Sequence, residues 1–409
     1  MKNKWLGVIL ALVAVKSLLW MMLIPPFQSP DENIHFGMIQ YFGENNNPPY
    51  KRNPAVNSDE LIAVTKILNF PWQSVHPVWR GLSNDWRQQI LDLPPGLKNE
   101  FHYQQGTDGG QKLPQGYYWL NFPVYKIFSG ADFLVRFYAL RLVSVLLGLG
   151  TVYLAYLAGG LTVAALVGFQ PMASVVFSSI TYDSLAIFIT SLFVYLGLNK
   201  KAWWALLVAV VGFTVKGQLI ALILVWPLLL SGKERWLILP AIGVTGFAAR
   251  SYWQWIGGIN WSSLALGGYL KTNLLKFWAE IFPWYWGVFG WLEKTMPLWV
   301  YRGLKIITAA ALIGLIRIKW TRQLAWLVGV IGSVALVVFA NDWLVYSRGG
   351  GGFGVQGRYF LPAIVPEMIL LAAGLRRFIT PKILIIGAIG LNLVGLFTAY
   401  QYFGWVWGS

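Results

Sequence analysis

The chain has 409 residues, 56% of them hydrophobic and only 12% charged, with a mean hydropathy of +0.55. A single soluble core has no room for that much apolar surface, and stretches of about 20 apolar residues, each able to cross a hydrocarbon layer, recur along the chain. The net charge of +16 gathers in short turns rather than on one stripe, which argues against a nucleic-acid partner; the lack of cysteine excludes disulfides and thiolate metal sites.

The first apolar stretch, Trp5 to Ile24, has no small-residue cleavage site and runs into Pro25-Pro26, so residues 1–24 read as an uncleaved first span. Further spans are expected near 136–158, 161–180, 184–198, 202–214, 216–231, 235–255, 299–316, 322–344, 359–375 and 382–404. That makes an all-α polytopic bundle of about 11 spans. Short Lys/Arg-rich turns stay in the cytoplasm. Lys2/Lys4, Lys200/Lys201, Lys233/Arg235, Arg317/Lys319/Arg322 and Arg376/Arg377/Lys382 therefore place the N-terminus inside and the C-terminus outside a plasma membrane.

Two long segments then face outward, 25–135 and 256–298, flanking a transmembrane bundle at 136–255; the C-terminal spans at 299–409 enclose a glycine-rich outer loop at 346–358. Segment 25–135 holds ten of the sixteen acids and all three histidines. Ser58-Asp59-Glu60 opens one amphipathic run and Asn84 another, with Trp86, Ile90 and Leu91 on its apolar side. Residues 116–130, rich in aromatics and interrupted by Pro123, read as an interfacial helix. The aromatic 282–301 region reads as a belt at the headgroup level.

The chemistry concentrates behind the first span, in Pro25-Pro-Phe-Gln-Ser29-Pro30-Asp31-Glu32-Asn33-Ile34-His35. One reading is structural: Ser29 caps a helix, Pro30 takes its first position and Glu32 closes a capping box. The other is chemical: Asp31 takes a proton from a substrate hydroxyl while Glu32 orients a substrate or a cation. His35 follows one turn later as a hydrogen-bonded helper, and Asp31, Glu32 and His35 together are the candidate ligands for a divalent cation. Asp183, alone among acids from 133 to 233, is either an N-cap or a second carboxylate facing the same cavity. Lys216, Arg358, Arg136 and Arg141 all lie at outer span ends. Of these, Arg358, with its fork of donors, suits a lipid phosphate best. The glycine run Gly349–Gly354 has no Lys-Ser/Thr and is not a nucleotide loop.

These residues resemble a bacterial polytopic membrane-protein family related to the GT-C superfamily of polyprenyl-phosphate-sugar-dependent glycosyltransferases. The motifs that carry the resemblance are Pro25–Phe36, Thr181-Tyr-Asp-Ser184, Phe289-Gly-Trp-Leu292 with Pro297-Leu-Trp299, and Gly357-Arg-Tyr-Phe-Leu-Pro362. One element departs from that family, Leu113-Pro-Gln-Gly-Tyr-Tyr118 standing where it tends to show His/Gln-Pro-Pro-x-Tyr-Tyr. The resemblance implies an inverting transfer of a sugar from a polyprenyl-phosphate carrier to a cell-envelope glycan or lipid-linked acceptor at the outer face. Asp31 is then the base, and Arg358 with Lys216 or Arg141 holds the phosphate. Tyr359 adjoins that arginine, and Glu32 and Asp183 position the acceptor. A transporter or flippase of a lipid-linked sugar, using the same cavity without bond formation, is the alternative.

Overall fold

The computed structural model describes residues 2–47, 56–70, 78–103, 115–230, 243, 246, 266–349 and 354–405. Six described helices are long and apolar enough to cross a membrane: Lys4–Leu23 within α1 (Lys2–Leu23), α6 (Phe133–Gly168), α13 (Leu298–Ile316), Arg322–Ser347 within α14 (Arg322–Gly349), Gly357–Leu375 ending in α15 (Ile364–Leu375), and α16 (Pro381–Phe403). Among the described residues there are also three shorter apolar helices, α8 (Tyr182–Leu198), α9 (Ala202–Val215) and Gly217–Leu229. The chain is a multi-pass helical membrane protein. All but residues 243 and 246 of the span expected at 235–255, and the turn Lys233/Arg235, lie outside the described residues, as does most of the glycine run.

Two expected spans are broken rods. Helix α6 covers both 136–158 and the start of 161–180 but turns at Gly160, whose φ of 80° and ψ of −171° are open to glycine and costly for other residues. The chain doubles back there, so that Gly168 lies against Val13 and Val152. The second limb then stops at Phe169 and resumes as α7 (Pro171–Val176), with Pro171 at the first position and the Gln170 side chain accepting from the Ala173 amide. The stretch expected at 216–231 is likewise interrupted: Lys216 is extended (φ −148°, ψ 121°), and only short helical pieces follow, among them α10 (Ile220–Val225). Non-helical backbone at membrane depth is tolerated where it lines a cavity or packs in protein.

The 25–135 segment packs over one end of the bundle, the end where α1 stops at Leu23. Its helices are α2 (Glu32–Asn45), α3 (Asp59–Ile67), α4 (Trp86–Leu91) and α5 (Gly116–Ile127), with a small antiparallel ribbon pairing β1 (Val56–Ser58) to β2 (Phe101–Tyr103). Ser58 caps α3 as expected, accepting from the Leu61 amide at 3.0 Å. The second run starts one residue later than expected, at Asp85, and leaves Leu91 exposed while Trp86 and Ile90 are buried. Helix α5 has twelve residues, too few to span; Tyr117, Tyr118, Asn121 and Tyr125 face inward, and Trp119, Leu120 and Ile127 face out. Phe27, fully buried, is the apolar keystone, in edge contact with Phe36, Phe70, Phe133 and Phe137. A polar staple reinforces it: Arg136 of α6 pairs with the buried Glu60, which also accepts from Gln40 at 2.6 Å.

Beyond the described start of α11 (Leu266–Lys276), a π-turn at Phe277–Ile281 leads into α12 (Phe282–Trp286) and a two-residue ribbon, β3 (Val288–Phe289) with β4 (Lys294–Thr295). The aromatic belt expected here is mostly packed inward: Phe282, Trp286, Phe289 and Tyr301 are buried, whereas Trp299 is 65% exposed. The 3-10 segment Gly357–Ala363 leans on this turn. A Cβ on Gly357 would lie 2.1 Å from the Tyr285 nitrogen and 2.4 Å from the Ile281 oxygen, so only glycine fits.

Candidate active site

The two adjacent carboxylates point apart. Helix α2 starts at Glu32, and its N-cap is Asp31, held left-handed (φ 65°, ψ 4°) with no side-chain cap bond. The expected capping box does not form; Ser29 offers only its carbonyl to the Glu32 amide, at 3.3 Å. A left-handed non-glycine residue costs roughly 1–2 kcal/mol, and Asp is among the few residues that visit the region. The twist releases the Asp31 carboxylate from the helix start, where it would otherwise serve as a cap.

Glu32 is fully buried, and its four contacts fill both oxygens: Arg141 Nε at 2.8 Å and the Ile180 amide at 2.9 Å on one, Arg141 Nη2 at 2.7 Å and the Phe27 amide at 3.1 Å on the other. Arg141 spends its remaining donors on the carbonyls of Met21, Ile24 and Pro25, at 2.7, 2.7 and 3.1 Å. With all five N–H groups used, no donor is left for a phosphate. This pair fixes the end of α1 against α6 and the turn before α8, which sets it apart from the substrate-facing roles expected of Glu32 and Arg141.

Asp31 joins a second, separate network. Its Oδ2 accepts from Arg358 Nη2 at 2.5 Å, and Arg358 also donates to Gln356 Oε1 at 2.7 Å and the Pro30 carbonyl at 3.3 Å. Asp183 Oδ2 lies 3.9 Å from Arg358 Nη1, and its Oδ1 accepts from Lys216 Nζ at 2.6 Å. Thr181, rather than Asp183, caps α8, which frees the Asp183 carboxylate for the lysine. The break at Lys216 brings that side chain into the cluster, over the rings of Tyr182 and Tyr359 at 5.1 and 5.2 Å. Two carboxylates and two cations alternate, so the cluster is neutral. Only Asp31 is open, at 38% side-chain exposure against 6% for Arg358, 5% for Lys216 and 2% for Asp183.

His35 stands behind this cluster, its Nδ1 3.0 Å from the Tyr118 hydroxyl and its ring 4.7 Å from that of Tyr182. Burial pushes its pKa down to about 4, which Asp31 and Asp183 only partly offset, so the imidazole is neutral near pH 7. The three candidate metal ligands do not converge: Glu32 is filled by Arg141, Asp31 faces Arg358 and His35 faces Tyr118. Among the described residues, the metal-capable atoms that gather within 4.8 Å are those of Asp59 at the start of α3, Glu100 just before β2 and His102 within β2.

Asp31, Arg358, Tyr359 and Tyr182 line a cavity of about 310 Å³, shared with Gln218, Trp291 and Asp342. The last three are absent from the sequence-based set. Gln218 Oε1 is buried without a hydrogen-bond partner, and Trp291 donates to the Phe27 carbonyl at 2.9 Å. Asp342 carried a readable signal, being the one acid inside the apolar stretch 322–344.

No family model and no curated relative matches the chain. Among solved structures, the crystal structure of ArnT from Cupriavidus metallidurans in the apo state is similar to it, at 14% identity and a TM-score of 0.47. The match covers 95% of this chain and 62% of that one, so the chain spans less than two thirds of the solved structure's length.

Proposed function

We propose that the chain is an integral-membrane inverting glycosyltransferase of GT-C type, which moves a sugar from a polyprenyl-phosphate carrier to a cell-envelope glycan or lipid-linked acceptor. The observation that carries this reading is the pairing, on one cavity, of a part-open carboxylate with a buried guanidinium. Arg358 donates to Gln356 Oε1, the Pro30 carbonyl and Asp31 Oδ2, and the last of these, the part-open contact, is the one a phosphate oxygen would take over. In the reaction, Asp31 accepts the proton of an acceptor hydroxyl, and that oxygen forms a bond to the anomeric carbon from the face opposite the phosphate. The carbon–phosphate-oxygen bond breaks, its electron pair leaves with polyprenyl phosphate, and Arg358 with Lys216 offsets the released charge. Asp183 holds Lys216 in place, and Gln218 is positioned to accept from a substrate hydroxyl.

The basic turns support an outward-facing site. Lys200/Lys201 close the end of α8 opposite Asp183, and Arg322 donates to the Leu228 and Leu230 carbonyls at that same end. Positive turns kept in the cytoplasm support a reading in which Asp31 and Arg358 face the outside of the plasma membrane.

The test is turnover by the purified full chain in lipid nanodiscs, supplied with polyprenyl-phosphate sugar and an envelope-glycan acceptor. The expected result is acceptor-dependent release of polyprenyl phosphate together with a new, inverted glycosidic linkage, lost in Asp31→Asn. Passage of intact donor across the bilayer with no linkage formed would establish a transporter instead.

A further inference from the structure

A second chamber, of about 360 Å³, adjoins the first; the two share Leu292, Asp342, Gly354, Val355 and Gln356 in their walls. It is lined by Tyr269, Thr272, Asn273 and Lys276 of α11, by Glu280 and Trp284 just beyond, and by Tyr346 of α14. Its chemistry differs from that of the first chamber. Lys276 is met by Glu280 at 3.8 Å, and Asp342, buried and accepting from the Tyr269 hydroxyl at 2.9 Å, gives the described lining residues one net negative charge. An anionic headgroup is therefore disfavoured. Aromatic faces beside amide, hydroxyl and carboxylate groups match a ligand with C–H faces and many hydroxyls.

The other side of α11 shows where that ligand comes from. Leu270, Leu274, Leu275 and Trp278 are exposed along one stripe, 45%, 71%, 70% and 48% respectively, while Tyr269 and Asn273 turn inward. A helix with an exposed apolar stripe on one side and a polar chamber on the other lies in the interface plane of a bilayer. We infer that this second chamber is the acceptor subsite, and that it takes a neutral saccharide headgroup presented at the lipid surface. Asp342, on the shared wall, positions the acceptor hydroxyl toward Asp31. This inference rests on the glycosyl-transfer reading for the name acceptor, but not for the binding itself.

The chain contains no cysteine, which permits a test independent of turnover. Thr272→Cys, whose native hydroxyl bonds only to the Gly268 carbonyl of its own helix, is introduced into the full chain in nanodiscs and labelled with a polar maleimide. The probes are methyl glycosides of the neutral hexoses and N-acetylhexosamines, with inorganic phosphate as the anionic control. Expected is saturable slowing of labelling by at least one glycoside and none by phosphate. Adding Trp284→Ala or Asn273→Ala should raise the protecting concentration about tenfold, the scale of one lost stacking or hydrogen-bonding contact. Absence of protection by any glycoside, equal protection by phosphate, or protection unchanged in both variants would overturn the inference. Protection without any turnover keeps this chamber and removes the transferase reading; acceptor-dependent turnover without protection does the reverse.

Discussion

Asp31 and Glu32 are neighbours with opposite jobs, and isosteric amides at each should separate them. Glu32→Gln keeps shape but removes the charge that faces Arg141, and it turns an NH₂ toward groups that only donate: the guanidinium and the amides of Phe27 and Ile180. Arg141 is then a buried, uncompensated cation. Removing one partner from a buried ion pair costs about 3–5 kcal/mol, a large part of a typical stability of roughly 5–15 kcal/mol. Asp31→Asn removes a charge that is 38% exposed, and Arg358 keeps Gln356, the Pro30 carbonyl and Asp183. After allowance for solvent screening, that loss is about 1 kcal/mol or less. Thermal unfolding followed by tryptophan fluorescence in detergent, with size exclusion to count folded protein, reads both. The expected outcome is a folded, inactive Asp31→Asn and a poorly folded Glu32→Gln. A Glu32→Gln protein as stable as the parent would refute the staple, whatever its activity.

Three further outcomes follow from the geometry. Arg358→Lys should raise the donor concentration for half-maximal rate by about tenfold or more, because an ammonium cannot keep Gln356 and the Pro30 carbonyl while also donating in a fork to phosphate; acceptor dependence should move less, as steady-state kinetics on both substrates will show. Gly357→Ala should cost several kcal/mol and lower the yield of folded protein, since the added carbon meets backbone of Tyr285 and Ile281 that no rotamer change relieves. For His35, the native pKa near 4 lies below its unfolded value of 6.5, so the unfolded chain binds more protons in that window. Stability should therefore fall as pH drops from 6.5 toward 4, and unfolding midpoints of His35→Gln should lose that component; an unchanged pH slope would count against a buried neutral imidazole.

The sequence made Arg358 and Asp31 readable because each stands at the end of an apolar run, where a charge has few reasons to be. The fold brings them together across 327 positions, Arg358 Nη2 to Asp31 Oδ2. Asp183 and Lys216 were readable by the same rule. What hid Glu32 and Arg141 is that the rule does not say whether a charge will meet a ligand or another side chain. Their partners are three carbonyls at the frayed end of α1 and an amide at residue 180, which leave no sequence pattern. The breaks were half visible: Gly159-Gly160 and Pro171 announce a turn and a helix start, and the boundary expected between 214 and 216 falls at the extended Lys216, but nothing ahead of the short helical pieces that follow announces them. The aromatic 282–301 stretch misled because a ring-rich segment suits a lipid interface and a packed turn equally well by composition.

The neutral cluster also orders the steps of the proposed reaction. Asp31 is tied to the most donor-rich group in the cavity, and while its Oδ2 accepts from Arg358 that oxygen is not free to take a hydroxyl proton. A donor phosphate competes for that same guanidinium. As it binds, it draws Arg358 away and frees that Asp31 oxygen at the moment the anomeric carbon is in place, so an acceptor bound first meets a base still engaged. Donor should therefore bind the enzyme without acceptor, and polyprenyl phosphate should inhibit competitively against donor. The Lys216→Met variant, lacking the second cation, should leave that order intact while slowing turnover. Product inhibition that is instead competitive against acceptor alone would show that Arg358 never exchanges Asp31 for phosphate, and the coupling of the two charges to catalysis would have to be abandoned.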